Sequence, residues 1–367
     1  MILGDKIMKV RINYLLLALL ICLSIISIGT IAQTSSDTSY FNESNEVADY
    51  RVAFDDSGLG GLIFALDVLQ ELETQLVELE SKYKVHFIFQ HVGDSKNAPY
   101  GNRTPAKIAE LTKAIVGYTA DLPYTKTLVI ACNTASTVCN EEMNVYFKEK
   151  YHWLNVISMI EKSSKEIIDL ASDVSSNNKE LYIALFATPA TIRSHAYQIQ
   201  IKNISTKDGQ KLKLYTYSPV TWVNNIEKGV DKKTAKIDIQ NDLEIFKNNL
   251  GDDFQKISTI GLFCTHYPYY RNEIERFFQD HGNKNVNILT QGHIFADDIY
   301  FDILKNIKSD SLSYPKRSNV LKEHDVFKIQ ILSNITGENS SEMKSVICKT
   351  HPQFSKRIIF STVHFIK

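Results

Sequence analysis

From Tyr50 onward, short apolar runs bounded by turn residues alternate with longer stretches whose apolar positions recur at helical spacing. The short runs predict strands over 51–54, 86–91, 127–131, 181–186, 213–217, 259–263 and 285–289. Between them, 62–83 carries the helical period, 105–121 opens with Pro105 directly after Thr104, and 140–150 follows a polar loop. Strands that alternate with helices point to an α/β fold with mainly parallel sheets.

In open parallel sheets a ligand sits beyond the carboxyl ends of the strands, so the segments after each run are where chemistry is expected. Five of these are polar and unusual: Asp55-Asp56-Ser57-Gly58-Leu59-Gly60-Gly61, Gly93-Asp94-Ser95-Lys96-Asn97-Ala98-Pro99-Tyr100-Gly101, Cys132-Asn133-Thr134-Ala135-Ser136, Ala187-Thr188-Pro189-Ala190-Thr191, and Cys264-Thr265-His266-Tyr267-Pro268. Two echo each other. Leu128-Val129-Ile130-Ala131-Cys132-Asn133-Thr134 and Ile260-Gly261-Leu262-Phe263-Cys264-Thr265-His266 are each an apolar strand that delivers a cysteine at its end. The expected architecture is therefore two similar domains with the site in the cleft between them, each half donating one thiol.

The first 49 residues break this pattern. Lys6, Lys9 and Arg11 precede an apolar run from Tyr14 to Ile31, and Thr30 and Ala32 put small residues where a signal peptidase reads, so residues 1–32 read as a signal peptide. The alternative is an uncleaved membrane anchor over residues 12–32. Ile21 before Cys22 argues against a lipoprotein signal, and the Ser/Asn-rich segment up to residue 49 reads as a polar linker. The expected location is outside the cytoplasm, periplasmic or secreted, with any membrane contact made only through the N-terminal segment.

The remaining composition is that of a globular protein, 44% hydrophobic and 23% charged over 367 residues, long enough for two domains. Lys and Arg number 41 against 42 acidic side chains, which leaves no basic excess to serve as a footprint for nucleic acid. A small-molecule partner is expected. Beyond the signal, Cys132, Cys139, Cys264 and Cys348 form neither a disulfide framework nor a CxxC pair, so no metal site is expected. Gly58-x-Gly60-Gly61 lacks the third glycine of a dinucleotide loop. Tyr267, Tyr269 and Tyr270 read as core and cleft wall, not as a base-stacking platform. The glycosylation sequons at Asn42, Asn203, Asn334 and Asn339 matter only in a eukaryotic setting.

One cysteine at a strand end is ordinarily a buried small apolar residue; two in matched contexts read as a functional pair. Cys139 and Cys348 lack that context and are taken as structural, with a disulfide between them as the alternative in an oxidising compartment. Two thiols in one cleft suit removal of a weakly acidic Cα proton from one face of an amino acid and return of a proton to the other. Such a reaction needs one deprotonated and one protonated group, and cysteine, with an ordinary pKa of about 8.5, serves in either role. A carboxylate or imidazole beside each sulfur can relay its proton. His266, Asp56 and Glu227 are the candidates. Backbone N–H groups at helix starts, with Ser57, Asn133, Thr134, Thr188, Thr191 and Thr265 nearby, can hold the substrate's carboxylate.

The set Asp56-Ser57-Gly58-x-Gly60-Gly61, Pro99-Tyr100-Gly101, Ala131-Cys132-Asn133-Thr134-Ala135-Ser136 and Cys264-Thr265-His266-Tyr267-Pro268, in this order, resembles glutamate racemases of the cofactor-independent aspartate/glutamate racemase family. The likeness runs from about Arg51 to Pro268, with a weaker echo at Ile335-Thr336-Gly337. It implies interconversion of L- and D-glutamate without pyridoxal phosphate or any other cofactor, as relatives do in making D-glutamate for cell-wall precursors. It also implies that residues 50–153 with 270–367 form one domain and 154–269 the other. Cys132 and Cys264 would be the paired acid/bases, Asp56 assisting the first and His266 the second. Glu227, in Ser218-Pro219-Val220-Thr221-Trp222-Val223-Asn224-Asn225-Ile226-Glu227, would be a further active-site acid. Ser57, Pro99, Tyr100, Gly101, Asn133, Thr134, Thr191 and Thr265 would bind substrate. Cys132 with Asp56 would serve D-glutamate and Cys264 with His266 would serve L-glutamate; a homodimer is the expected assembly.

Related aspartate racemases carry Glu where this chain has His266, which favours glutamate; the alternatives are another acidic amino acid as substrate, or a silent binding homologue. Two positions depart from the family pattern. Ser218 stands where cysteine is common, and Gln291-Gly292 where Asp-Ser is. An exported copy would need a purpose other than making cell-wall precursors inside the cell.

Overall fold

The computed structural model describes residues 47–83, 85–174, 180–230, 232–309, 316–317, 327–333, 351–354 and 358–362, all within one compact unit that begins at Glu46. The expected signal or anchor segment, most of the polar linker, Cys22, Cys348, the Ile335–Gly337 echo and the sequons at Asn42, Asn334 and Asn339 lie outside the described residues. Among those described, no helix is long and apolar enough to cross a membrane, and no group of His, Cys, Asp and Glu could hold a metal ion.

Strand β1 (Val47–Asp56) is followed by helix α1 (Gly60–Tyr83), β2 (Val85–Gly93), α2 (Pro105–Ala120), β3 (Thr125–Ile130), the single-turn α3 (Asn133–Ser136), α4 (Glu141–Lys150) and β4 (Asn155–Ser158). Then α5 (Ile160–Val174) leads to β5 (Glu180–Ala187), α6 (Pro189–Ser194), α7 (Ala196–Lys207), β6 (Lys211–Tyr217), α8 (Trp222–Glu227), α9 (Lys232–Leu250) and β7 (Thr259–Phe263). The remaining elements are α10 (Arg271–Asp280), β8 (Asn287–Leu289), α11 (Gly292–Ser309), β9 (Lys316–Arg317), β10 (Phe327–Ser333) and β11 (Ile358–Thr362).

Local chemistry sets the helix starts. Thr104 accepts a hydrogen bond from the Lys107 N–H with Pro105 in the first turn, and Asn140 caps α4 from Met143 N–H. Glu141 and Glu142 then sit in the first turn of α4 and Lys148 and Lys150 in its last, matching the helix dipole.

The strands form two sheets with the same wiring. The first runs β11-β10-β2-β1-β3-β4, parallel throughout, with the short β9 antiparallel to the start of β1. The second runs β6-β5-β7-β8, also parallel. In both, the first strand lies between the second and third, and the fourth follows the third: β2-β1-β3-β4 matches β6-β5-β7-β8. β3, which delivers Cys132, therefore corresponds to β7, which delivers Cys264. This is the topological basis of the echo in the sequence.

Every expected strand and helix is present. β4 and β9–β11 were not anticipated. β4 is only four residues long and partly exposed, and β9–β11 gain their strand character by pairing with segments distant in sequence, β10 docking in register along β2 from Phe327–Phe87 to Ser333–Gly93. The boundary expected after residue 153 falls before β4, which pairs with β3, whereas 287–289 pairs with β7 in the second sheet.

Candidate active site

The loops after β1, β3, β5 and β7 converge. Asp55 backbone carbonyl accepts from Ala131 N at 2.9 Å and Cys132 N at 3.3 Å, which fixes the Cys132 loop against the end of β1. Cys132 caps α3, its Sγ receiving the Ala135 N–H at 3.4 Å and lying 3.7 Å from Ser57 Oγ. Both Cys132 and Cys264 are only 5% exposed, so the two thiols are shielded from bulk solvent.

In the loop after β7, Cys264 Sγ lies 3.7 Å from His266 Nδ1, and His266 Nε2 lies 2.6 Å from Glu227 Oε1. The same Glu227 oxygen accepts the Leu59 N–H at 2.7 Å, tying α8 to the loop after β1. Burial disfavours a charged His266, but its contacts with Cys264 and Glu227 outweigh this and raise its pKa well above the ordinary value.

Asp56 bridges the two groups. Its Oδ1 accepts from Gly58 N at 2.8 Å and lies 3.5 Å from Ser57 Oγ, while its Oδ2 accepts from Thr265 Oγ1 at 3.1 Å. Burial pushes the Asp56 carboxyl up to about 6, with His266's charge and the Gly58 and Thr265 hydrogen bonds acting the other way. Burial, then the neighbouring Asp56 charge, pushes the Cys132 thiol up to about 12. One thiol thus lies near a carboxyl whose pKa burial raises toward neutrality, the other beside an imidazole held toward its cationic form.

The glycines of the first loop make this convergence feasible. A Cβ on Gly58 would fall 2.1 Å from Glu227 Oε1; one on Gly60 would fall 2.2 Å from Thr265 Oγ1 and 2.4 Å from His266 Nδ1. Gly60→Ala is accordingly expected to cost about 1–3 kcal/mol by overpacking and to lower turnover more than tenfold by displacing His266. Urea unfolding and steady-state kinetics on the same preparation check both.

The other expected residues separate into three groups. Thr134 Oγ1, Thr188 Oγ1 and Thr191 Oγ1 form a hydroxyl triangle at 2.8, 3.2 and 2.9 Å, with Thr188 capping α6. Tyr100 OH donates to Asp94 Oδ2 at 2.7 Å, Pro99 precedes it, and Gly101 packs against Thr188. Asn133 points into a buried polar cluster with Gln291, Tyr197 and Ser163. In sequence Gln291 stands out only as a departure from the family pattern, and Tyr197 and Ser163 not at all. No motif marks them; their roles follow from packing between sheets.

Two like-wired parallel sheets thus each deliver a buried thiol at an equivalent strand end, Cys132 beside Ser57 and Asp56, and Cys264 beside His266 and Glu227. No family model matches the chain. It is 30% identical over 269 residues to the glutamate racemase of Streptococcus mutans, spanning 72% of this chain and 87% of that protein. To the glutamate racemase of Lactobacillus acidophilus it is 31% identical over 239 residues, 64% of this chain and 73% of the relative. The fold matches the crystal structure of glutamate racemase from Francisella tularensis in complex with D-glutamate, with a TM-score of 0.61 at 19% identity, covering 87% of this chain and 98% of that one. It also matches the Escherichia coli glutamate racemase in complex with L-glutamate and an activator, at a TM-score of 0.57 and 17% identity, over 82% and 95% of the two chains. The chain belongs to the aspartate/glutamate racemase family.

Proposed function

We propose that this protein interconverts L- and D-glutamate by a two-base proton transfer at Cα, with Cys132 and Cys264 on opposite faces of the substrate and no cofactor taking part. The observation that carries the reading is the pair of relays: Cys264–His266–Glu227 at 3.7 and 2.6 Å, and Cys132–Ser57–Asp56 at 3.7 and 3.5 Å.

His266 Nδ1, 3.7 Å from Cys264 Sγ, is placed to exchange a proton with it, so Cys264 is the base that removes the Cα proton of L-glutamate. Cys132, held as a thiol by burial and the Asp56 charge, returns a proton to the other face. In the reverse direction Cys132 becomes the base, with Asp56 accepting its proton through Ser57. The carbanion-like intermediate is offset by N–H groups at the starts of α3 and α6 and by the Thr134, Thr188 and Thr191 hydroxyls. His266, where relatives acting on aspartate carry Glu, supports glutamate as the substrate. The basic and apolar N-terminal segment supports export, and the matched homologues that bind glutamate support a small-molecule partner.

The test is incubation of the purified chain in heavy water with L-glutamate or L-aspartate, without added cofactor, following the Cα proton by NMR and optical rotation by polarimetry. Exchange and racemisation of glutamate alone is the expected result. Activity on aspartate alone moves the substrate, and silence with both under reducing conditions overturns the reading.

A further inference from the structure

We propose that Gln291 and Tyr197 are positioning residues that lock the side-chain amide of Asn133, so that it offers the substrate an N–H and not a carbonyl. The inference rests on the racemase reading.

Asn133 directly follows Cys132 and opens α3. Its Oδ1 accepts from the Tyr197 hydroxyl and from Gln291 Nε2 at 3.0 Å, and its Nδ2 donates to Gln291 Oε1 at 2.7 Å. A carboxamide oxygen has two lone pairs and the nitrogen two hydrogens. The oxygen is therefore filled, and one N–H is left for a ligand. Turning Asn133 over would set donor against donor and acceptor against acceptor along its paired amide. Gln291 is itself held, since its Nε2 reaches Ser163 Oγ at 2.7 Å and the Tyr197 hydroxyl at 3.2 Å. All four side chains are buried, where a mispaired polar group is costly.

The clamp also joins the two thiol loops. Gln291 comes from the end of β8 in the second sheet, 158 residues from Asn133 in the first. The Tyr197 ring packs on Phe263, the residue before Cys264, with centroids 4.3 Å apart. Burial keeps the Tyr197 phenol protonated, its Gln291 and Ser163 hydrogen bonds acting the other way, and thus leaves it a donor to Asn133. One hydroxyl is therefore anchored to the Cys264 strand while it orients the residue after Cys132. Nothing in the proton transfer requires Gln291 or Tyr197 to touch the reacting atoms; their effect passes through Asn133.

Gln291→Leu removes both hydrogen-bonding groups, and Tyr197→Phe removes the hydroxyl while keeping the ring on Phe263. For Gln291→Leu the expected result is a KM for both glutamate enantiomers raised about tenfold, the loss of one hydrogen bond to a charged group, with kcat changed less than about threefold. Tyr197→Phe should move KM in the same direction by less. The double variant should be no worse than Gln291→Leu, because both act through one amide. An unchanged KM, a loss confined to kcat, or additive effects would overturn the proposal. If the leucine variant does not fold, Tyr197→Phe carries the test alone. Calorimetric Kd values for glutamate, measured on the wild type and both variants, separate the two readings: a wild type that binds without turnover sinks the racemase assignment, while the variants' Kd still judges the clamp.

Discussion

Serine in place of Cys264 is expected to lower racemisation of L-glutamate by about 10³-fold or more, the scale of a lost acid/base group, while glutamate still binds. A serine hydroxyl fits the site but does not ionise near neutral pH, so His266 and Glu227 are left with no base to poise. Cys132→Ser should be as damaging, for the complementary reason that no thiol remains to protonate the far face. The two variants differ in what survives. In heavy water, Cys132→Ser keeps Cys264 and should still exchange the Cα hydrogen of L-glutamate without inverting it, and Cys264→Ser should do the same for D-glutamate. NMR of the Cα position, with chiral chromatography of the product, resolves exchange from inversion. Inversion at an appreciable rate by either variant would remove the two-thiol mechanism.

Asp56→Asn should lower kcat about 10²-fold while making the fold more stable at neutral pH. The folded carboxyl titrates at about 6 against an ordinary 3.8, chiefly because it is buried, so the folded protein holds this proton more tightly than the unfolded chain does. The stabilisation from the protonated form is complete below about pH 4 and is lost as pH rises through 6. Asparagine keeps an acceptor for the Gly58 N–H and carries no charge to desolvate. The melting temperature at pH 7.5 should therefore rise with the substitution, and the acid limb of activity near pH 6 should disappear. A variant that is both slower and less stable at pH 7.5 would place Asp56 in a structural role. The trade of stability for a charged group in a dry site is a general feature of catalytic carboxylates.

Much of the site was legible because its groups are short, contiguous and attached to strand ends. Cys132 with Asn133 and Thr134, Cys264 with Thr265 and His266, and Asp56 with Ser57 each sit in a loop whose preceding apolar run announces a buried strand. The resemblance to glutamate racemases supplied the rest, setting Asp56 with the first thiol and His266 with the second as expectations. Glu227 was less legible. It is 39 residues from His266, at the end of a short helix, and in sequence it looks like any solvated acid; only the folded chain sets its carboxylate 2.6 Å from the imidazole.

The sequence by itself determined seven of the strands and the helices at 62–83, 105–121 and 140–150, and it marked two cysteine-ended strands that echo each other. Hydrophobic periodicity and turn residues are local, and each acts within about one element's length. Tertiary structure alone decided that β10 would dock along β2, that β4 would close one edge of the first sheet and β8 one edge of the second, and that Gln291 would pair its amide with Asn133. Those outcomes depend on which surfaces meet after the chain collapses. A buried amide such as Gln291 gains a partner only when a residue 158 positions away arrives at hydrogen-bonding distance, and no local pattern encodes that meeting.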